Sequence, residues 1–137
     1  MNGTPVVTGP ADRADRPAAD VFARACPSRQ VLETIASKWG ILALAALGEG
    51  SYRFNALRRR VDGISEKMLA QTLHALERDG LVHRHAYHTV PPRVEYSLTP
   101  AGVSVAAKLR ELIELVERHL PEVMRAQARY DDARLSG

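Results

Sequence analysis

The sequence predicts a mainly α fold with a small β-hairpin, an α+β protein, and three observations predict it. Apolar residues recur at helical spacing, most clearly in Val31, Leu32 and Ile35 and in Leu69, Leu73 and Leu76. Two strand-like stretches, Leu81–Tyr87 and Arg93–Leu98, enclose a tip containing Pro91-Pro92. A last apolar run follows Thr99-Pro100, a threonine cap with proline at the first helical position. With 137 residues, 45% of them apolar, the chain suits one domain with a real core.

Taken in order, residues 1–22 mix Pro, Gly and Ala with alternating Asp and Arg and show no apolar period, so they read as a flexible tail. The domain proper is expected over 23–133. Helical patterning begins at Pro27 and runs to about residue 36. Ser37 can cap a second helix, Lys38–Leu47, which is apolar nearly all round and therefore buried. Gly48-Glu49-Gly50 ends it; the pair of glycines follows a helix and lacks the Gly-Lys-Ser/Thr ending of a phosphate loop. Arg53–Arg60 is a short helix with Phe54, Leu57 and Val61 inward, and Asp62-Gly63 is a turn. Ser65 then caps a helix running to Asp79, closed by Asp79-Gly80. The last helix runs from Pro100 to about Leu120. There Pro121 either kinks it or opens a final helix ending near Asp132. Two helices sharing a tight turn, with a hairpin directly after them, form the layout of a winged helix-turn-helix. The helix-turn-helix would span 53–79 and the wing 81–98.

Charge supports that layout. The net charge is only +3, but residues 51–96 hold eight Arg or Lys against five acids, plus four of the five histidines. The flanking segments are neutral, so the basic excess sits where a nucleic-acid footprint would lie. Arg outnumbers Lys sixteen to three, which is a compositional bias. Bias does not explain the localisation.

Several motifs recur in a recognisable order. They are Cys26-Pro27, Lys38-Trp39, Arg53-Phe54-x-x-Leu57, Gly63-Ile64-Ser65, and Leu69-x-x-x-Leu73-x-x-Leu76-x-x-Asp79-Gly80-Leu81-Val82. Pro91-Pro92-x-Val94-Glu95-Tyr96 and Leu98-Thr99-x-x-Gly102 complete the set. Over roughly residues 26 to 132 the chain resembles the HxlR-type regulators, relatives of the MarR group. It departs at Gly40, where that family usually has Ser or Thr after Lys-Trp. The resemblance implies a homodimeric transcriptional regulator on a pseudo-palindromic operator, with two wings and two reading helices. It also implies that some relatives respond to electrophiles or oxidants through a cysteine near the N-terminus.

At about 100° per residue, with Leu69 facing the core, Lys67, Gln71, His74 and Arg78 point away and Ala70 lies at the edge of their face. Lys suits guanine acceptors and Gln suits adenine in the major groove. Ser65, Lys67, Met68, Gln71 and His74 are therefore the expected base-facing residues, while Arg78 lies too far along the helix. Arg53 and Asn55, with Arg84, His88 and Arg93 in the wing, are the expected sugar-phosphate contacts. Arg58, Arg59 and Arg60 cannot all face one partner. An ordinary solvated helix face, or a winged helix used to bind protein, is the competing reading. His83 and His85 share a strand face but have no nearby cysteine, so no metal or cofactor is expected.

Cys26 directly precedes Pro27, at the start of a helix, with Arg24 and Arg29 close in sequence. A helix start and neighbouring cations favour a thiolate that reacts with oxidants, electrophiles or another small-molecule effector. A buried small apolar residue is the equal alternative. In the last helix, Val105, Leu109, Leu112, Ile113, Val116 and Leu120 form an apolar stripe flanked by Leu115. Pairing with a second copy, together with the first helix, would cover it; packing against the second helix is the alternative. Leu109, Leu112, Ile113, Val116 and Leu120 are the expected dimer interface. Nothing in the sequence points to an enzyme, since nucleophile elbow, metal-ligand pair and phosphate loop are all missing. With no apolar run of about 18 residues and an acidic, weakly apolar start, the protein is expected in the cytoplasm and off the membrane.

Overall fold

The computed structural model describes residues 20–136. Helices α1 (Pro27–Ala36) and α2 (Lys38–Leu47) lead to a short strand β1 (Tyr52–Arg53) and helices α3 (Phe54–Arg60) and α4 (Glu66–Arg78). Strands β2 (Val82–Tyr87) and β3 (Arg93–Leu98) and a long helix α5 (Pro100–Ser136) follow. Most of the expected tail lies outside the described residues. Asp20–Phe22 belong to a turn closed by Ala23 N–H, which donates to the Asp20 carbonyl over 3.2 Å.

Ser37 divides the first apolar stretch into two helices. Its backbone is extended, its hydroxyl donates to the Thr34 carbonyl (2.8 Å), and its oxygen accepts from Gly40 N–H (3.0 Å). A Cβ on Gly40 would overlap that same Thr34 carbonyl oxygen. Glycine at this position lets α2 start hard against the end of α1, which accounts for the departure from Ser or Thr.

Helix α2 runs through the centre of the molecule. Ala43 and Leu44 are fully buried among Leu57 and Val61 of the α3 segment, Leu69, Leu73 and Leu76 of α4, and Leu81 and Val82. Burial of each such leucine stabilises the fold by about 1.5–3 kcal/mol. Helix α4 closes at Gly80, whose φ of +75° is a conformation that glycine adopts without strain. Leu81 N–H reaches back to the Leu76 carbonyl over 3.0 Å. Thr99 locks α5 onto this closure. Its hydroxyl donates to the Gly80 carbonyl (2.6 Å) and caps α5 by accepting from Gly102 N–H (3.1 Å). A Cβ on Gly102 would collide with the Leu81 carbonyl, so glycine is required where α5 crosses that turn.

The expected hairpin is part of a three-stranded antiparallel sheet of order β1-β3-β2. Strand β1 has only two residues, too few for a readable alternation, and pairs Tyr52 with Tyr96 and Arg53 with Glu95. Arg53 thus belongs to a strand and helix α3 begins at Phe54, one residue later than expected. One face of the sheet sends Tyr52, Val82, Tyr96 and Leu98 to the core, and the other carries Arg53, His83, His85, Tyr87, Arg93 and Glu95.

The last helix is continuous through Pro121. The proline leaves the Glu117 carbonyl without its donor, but the whole of 114–136 is exposed and water can take its place. At 37 residues α5 is about 55 Å long. Among the described residues no single helix is long and apolar enough to cross a membrane.

Candidate nucleic-acid interface

Helix α4 turns inward and outward the residues that its helical period predicts. Leu69, Leu73 and Leu76 are buried, and Lys67, Ala70, Gln71, His74 and Arg78 stand exposed on the far side. Met68 is exposed beside them. Ser65 is also exposed, but its oxygen accepts from Met68 N–H over 3.0 Å. It holds the first turn of α4 and keeps its hydroxyl proton and one lone pair for another partner. Arg78 lies 3.8 Å from Asp79 at the opposite end.

Beside α4 the structure brings together residues from α3 and the wing. Arg53, Asn55, Arg59, Pro92 and Arg93 line a cleft of about 410 Å³. Arg58, Arg59 and Asn55 also line a shallow recess of about 690 Å³ that reaches Ser65 and Glu66. Arg59 therefore faces both hollows, a position that its place in a run of three arginines does not reveal. Arg60 turns away and grips Glu49, its Nε 2.8 Å from one carboxylate oxygen that also accepts from Tyr52 Oη (2.7 Å). These bonds, Arg60's first and Tyr52's second, hold the Glu49 carboxyl at about 2.

The wing does not act as one surface. Arg84 pairs with Tyr96 and so lies on the opposite face from Arg93, because strand side chains alternate. His88 is exposed near the tip, where the Val90–Pro91 peptide is cis. The Arg93 guanidinium lies 4.2 Å from the Tyr87 ring centroid, with its Nε 3.5 Å from a Glu95 oxygen. His83 and His85 do share the outward face, their ring centroids 6.0 Å apart. Among the described residues no group of three or more His, Cys, Asp or Glu could hold a metal ion.

Cys26 is the N-cap residue of α1 and only 6% exposed. A 3.0 Å hydrogen bond joins its Sγ to Ser28 Oγ. That bond is the main cause that lowers the thiol pKa from its ordinary value; burial opposes it and backbone N–H groups assist. The Arg29 side chain instead donates to the Phe22 carbonyl and pairs with Glu33.

The apolar stripe of α5 divides along its length. Val105 and Leu109 are partly buried and pack on the domain's own core. Ile113 is half-buried beside Leu42 and Ala45. Leu112, Val116 and Leu120 are 48%, 54% and 45% exposed, and Leu115, Val123 and Met124 are exposed with them.

A polar helix face standing clear of the core on a helix-turn-helix, beside a basic three-stranded wing, defines a winged helix-turn-helix regulator. The chain belongs to the HxlR-like helix-turn-helix family, whose signature matches residues 34–124. An uncharacterised HTH-type transcriptional regulator of Escherichia coli K12, YtfH, is 55% identical over 105 residues, which cover 77% of this chain and 83% of YtfH. The solved structure of YtfH from Salmonella typhimurium, described as a transcriptional regulator, superposes with a TM-score of 0.75 at 50% identity, covering 80% of this chain and 97% of that one. The redox regulator HypR in its oxidised form is similar at a TM-score of 0.63 and 40% identity, covering 68% of this chain and 96% of HypR. The protein is a transcriptional regulator of the helix-turn-helix class, with DNA as its partner.

Proposed function

We propose that the protein is a homodimeric repressor, without catalytic activity, that reads a pseudo-palindromic operator in the cytoplasm. The observation that carries this reading is the outer face of α4, where Lys67, Gln71 and His74 stand exposed directly behind the buried Leu69, Leu73 and Leu76. Met68 flanks that face, and Ser65 orients it through the cap. Arg53, Asn55, Arg59 and Arg93 hold the sugar-phosphate backbone beside it, with His88 at the wing tip and Arg84 on the second wing face. A two-fold dimer formed through the outer half of α5 and α1 sets the two reading helices about 34 Å apart, one turn of DNA. Operator selection from random duplexes tests the reading. Gln71→Ala is expected to change the preferred bases, and Arg53→Ala to weaken all sequences alike and reduce the salt slope by about one unit. An unchanged base preference in Gln71→Ala would count against α4 as the reading helix.

The Ser28 bond to Cys26 favours a second layer, a thiol switch, and the similarity to HypR supports it. In one form, two Cys26 thiols of a dimer give up their protons and two electrons to hydrogen peroxide, forming a disulfide and two waters. In the other, the thiolate adds to an electrophilic carbon and the thiol proton passes to the adduct. Alkylation rates across pH test the idea. A thiol titrating near about 8.5 would remove the case for a sensor and leave Cys26 as a packing residue.

A further inference from the structure

The Pro91-Pro92-x-Val94-Glu95-Tyr96 motif sets an acid in the middle of the basic wing, and DNA reading alone gives that acid no role. Glu95 lies in β3, the central strand, with Arg53 opposite it in β1 and His85 opposite it in β2. Arg93 shares its face two residues away, with Nε 3.5 Å from Glu95 Oε2. The Tyr87 hydroxyl donates to Glu95 Oε1 over 3.5 Å, while the Tyr87 ring lies 4.2 Å from the Arg93 guanidinium. His85 packs edge-on against the same ring at 4.3 Å.

A carboxylate among phosphate-binding groups repels phosphate, so its presence weakens binding unless it does something else. Here it holds one edge of an arginine. Arg93 Nε is shielded from water without a hydrogen bond, so Tyr87 below and Glu95 beside it define where the guanidinium rests. The same residue lines the cleft with Arg53, Asn55 and Arg59. A guanidinium carries five donors, and directing one edge to an acid leaves the others for a phosphate.

We propose that Glu95 is a positioning residue for DNA binding, which fixes Arg93 against Tyr87 so that it meets the phosphate already oriented. Orientation established before binding removes an entropy cost that a loose arginine would incur on contact. The proposal rests on Arg93 as a phosphate contact.

The test measures affinity of the full chain for a selected operator duplex across salt, with thermal unfolding alongside, for Arg93→Ala, Glu95→Gln and the double variant. Glu95→Gln is expected to bind about tenfold more weakly although it removes a negative charge, and to lower the salt slope by nearly one unit. Added to Arg93→Ala it should cost nothing further, since it acts through that residue. Binding by Glu95→Gln equal to or tighter than that of the parent overturns the proposal, as does a further loss in the double variant. If Arg93→Ala changes neither affinity nor salt slope, the phosphate-contact reading fails and this proposal fails with it. Should Glu95→Gln fold poorly, Tyr87→Leu removes the ring beneath Arg93. The same fall in salt slope supports the proposal, and an unchanged slope overturns it.

Discussion

At the residue scale, Arg58, Arg59 and Arg60 share one chemistry and adjacent positions, yet they take up different surroundings. A rotation of about 100° per residue guarantees that they diverge, and this much is legible in the sequence. Their destinations are not, because Arg60 finds Glu49 eleven residues upstream, across a glycine-rich loop and β1. That pair ties the end of α2 to the end of α3, and Tyr52 adds β1 to the same carboxylate. Arg60 and then Tyr52 depress the Glu49 pKa from 4.5 to about 2 in the folded protein. The resulting stabilisation is complete above the unfolded value and is lost as the pH falls through about 2. Glu49→Gln is therefore expected to flatten the acid side of the stability curve between pH 4.5 and 2, as followed by chemical denaturation at each pH. Parallel curves for the two proteins would show that the pair contributes nothing.

At the scale of elements, α4 was the most legible part of the molecule. Ser65, the Leu69, Leu73 and Leu76 stripe and Asp79-Gly80 are local signals, and the helix runs where they place it. Its cap joins stability to function, since Ser65 orders the turn that carries Lys67 and Met68. Ser65→Ala should lower stability by about 1 kcal/mol and weaken operator binding, measured by urea unfolding and fluorescence anisotropy. Weakened stability with undiminished binding would mean that the first turn is not used on DNA. The wing was less legible. Alternation along β2 already separates Arg84 from its odd-numbered neighbours, but only pairing with β3 shows that Arg93 joins the odd-numbered set. Strand β1 is stabilised by its partner rather than by its own two residues, so no window of sequence reveals it. Pro121 stays inside one helix for a related reason: its cost depends on whether the freed carbonyl meets water, and here it can.

At the scale of the whole molecule, α5 is the unbalanced part. Its first turns complete the domain's core, and its later turns carry Leu112, Val116, Leu120 and Val123 within one face that stays exposed among the described residues. Leu112→Glu with Val116→Glu should leave the domain folded, because exposed positions away from the core change stability by about 0.5 kcal/mol or less. The same pair should turn a dimer into a monomer in sedimentation and weaken binding to a two-site operator far more than to a half-site. A dimer that survives both charges would place the interface elsewhere. The chain by itself determined the elements other than β1 and which side chains each helix turns outward. Capping, helical period and strand alternation act over a few residues and need no partner. Only the tertiary structure decided which outward side chains meet. Glu49 faces Arg60, Glu95 is set among Arg53, Arg93 and Tyr87, and Leu109 is drawn into the core while Leu112 is left out. Such meetings depend on how elements cross and pair, and no local periodicity encodes that. The outward face of α4 was therefore visible from sequence, whereas the groups that meet the arginines beside it were not.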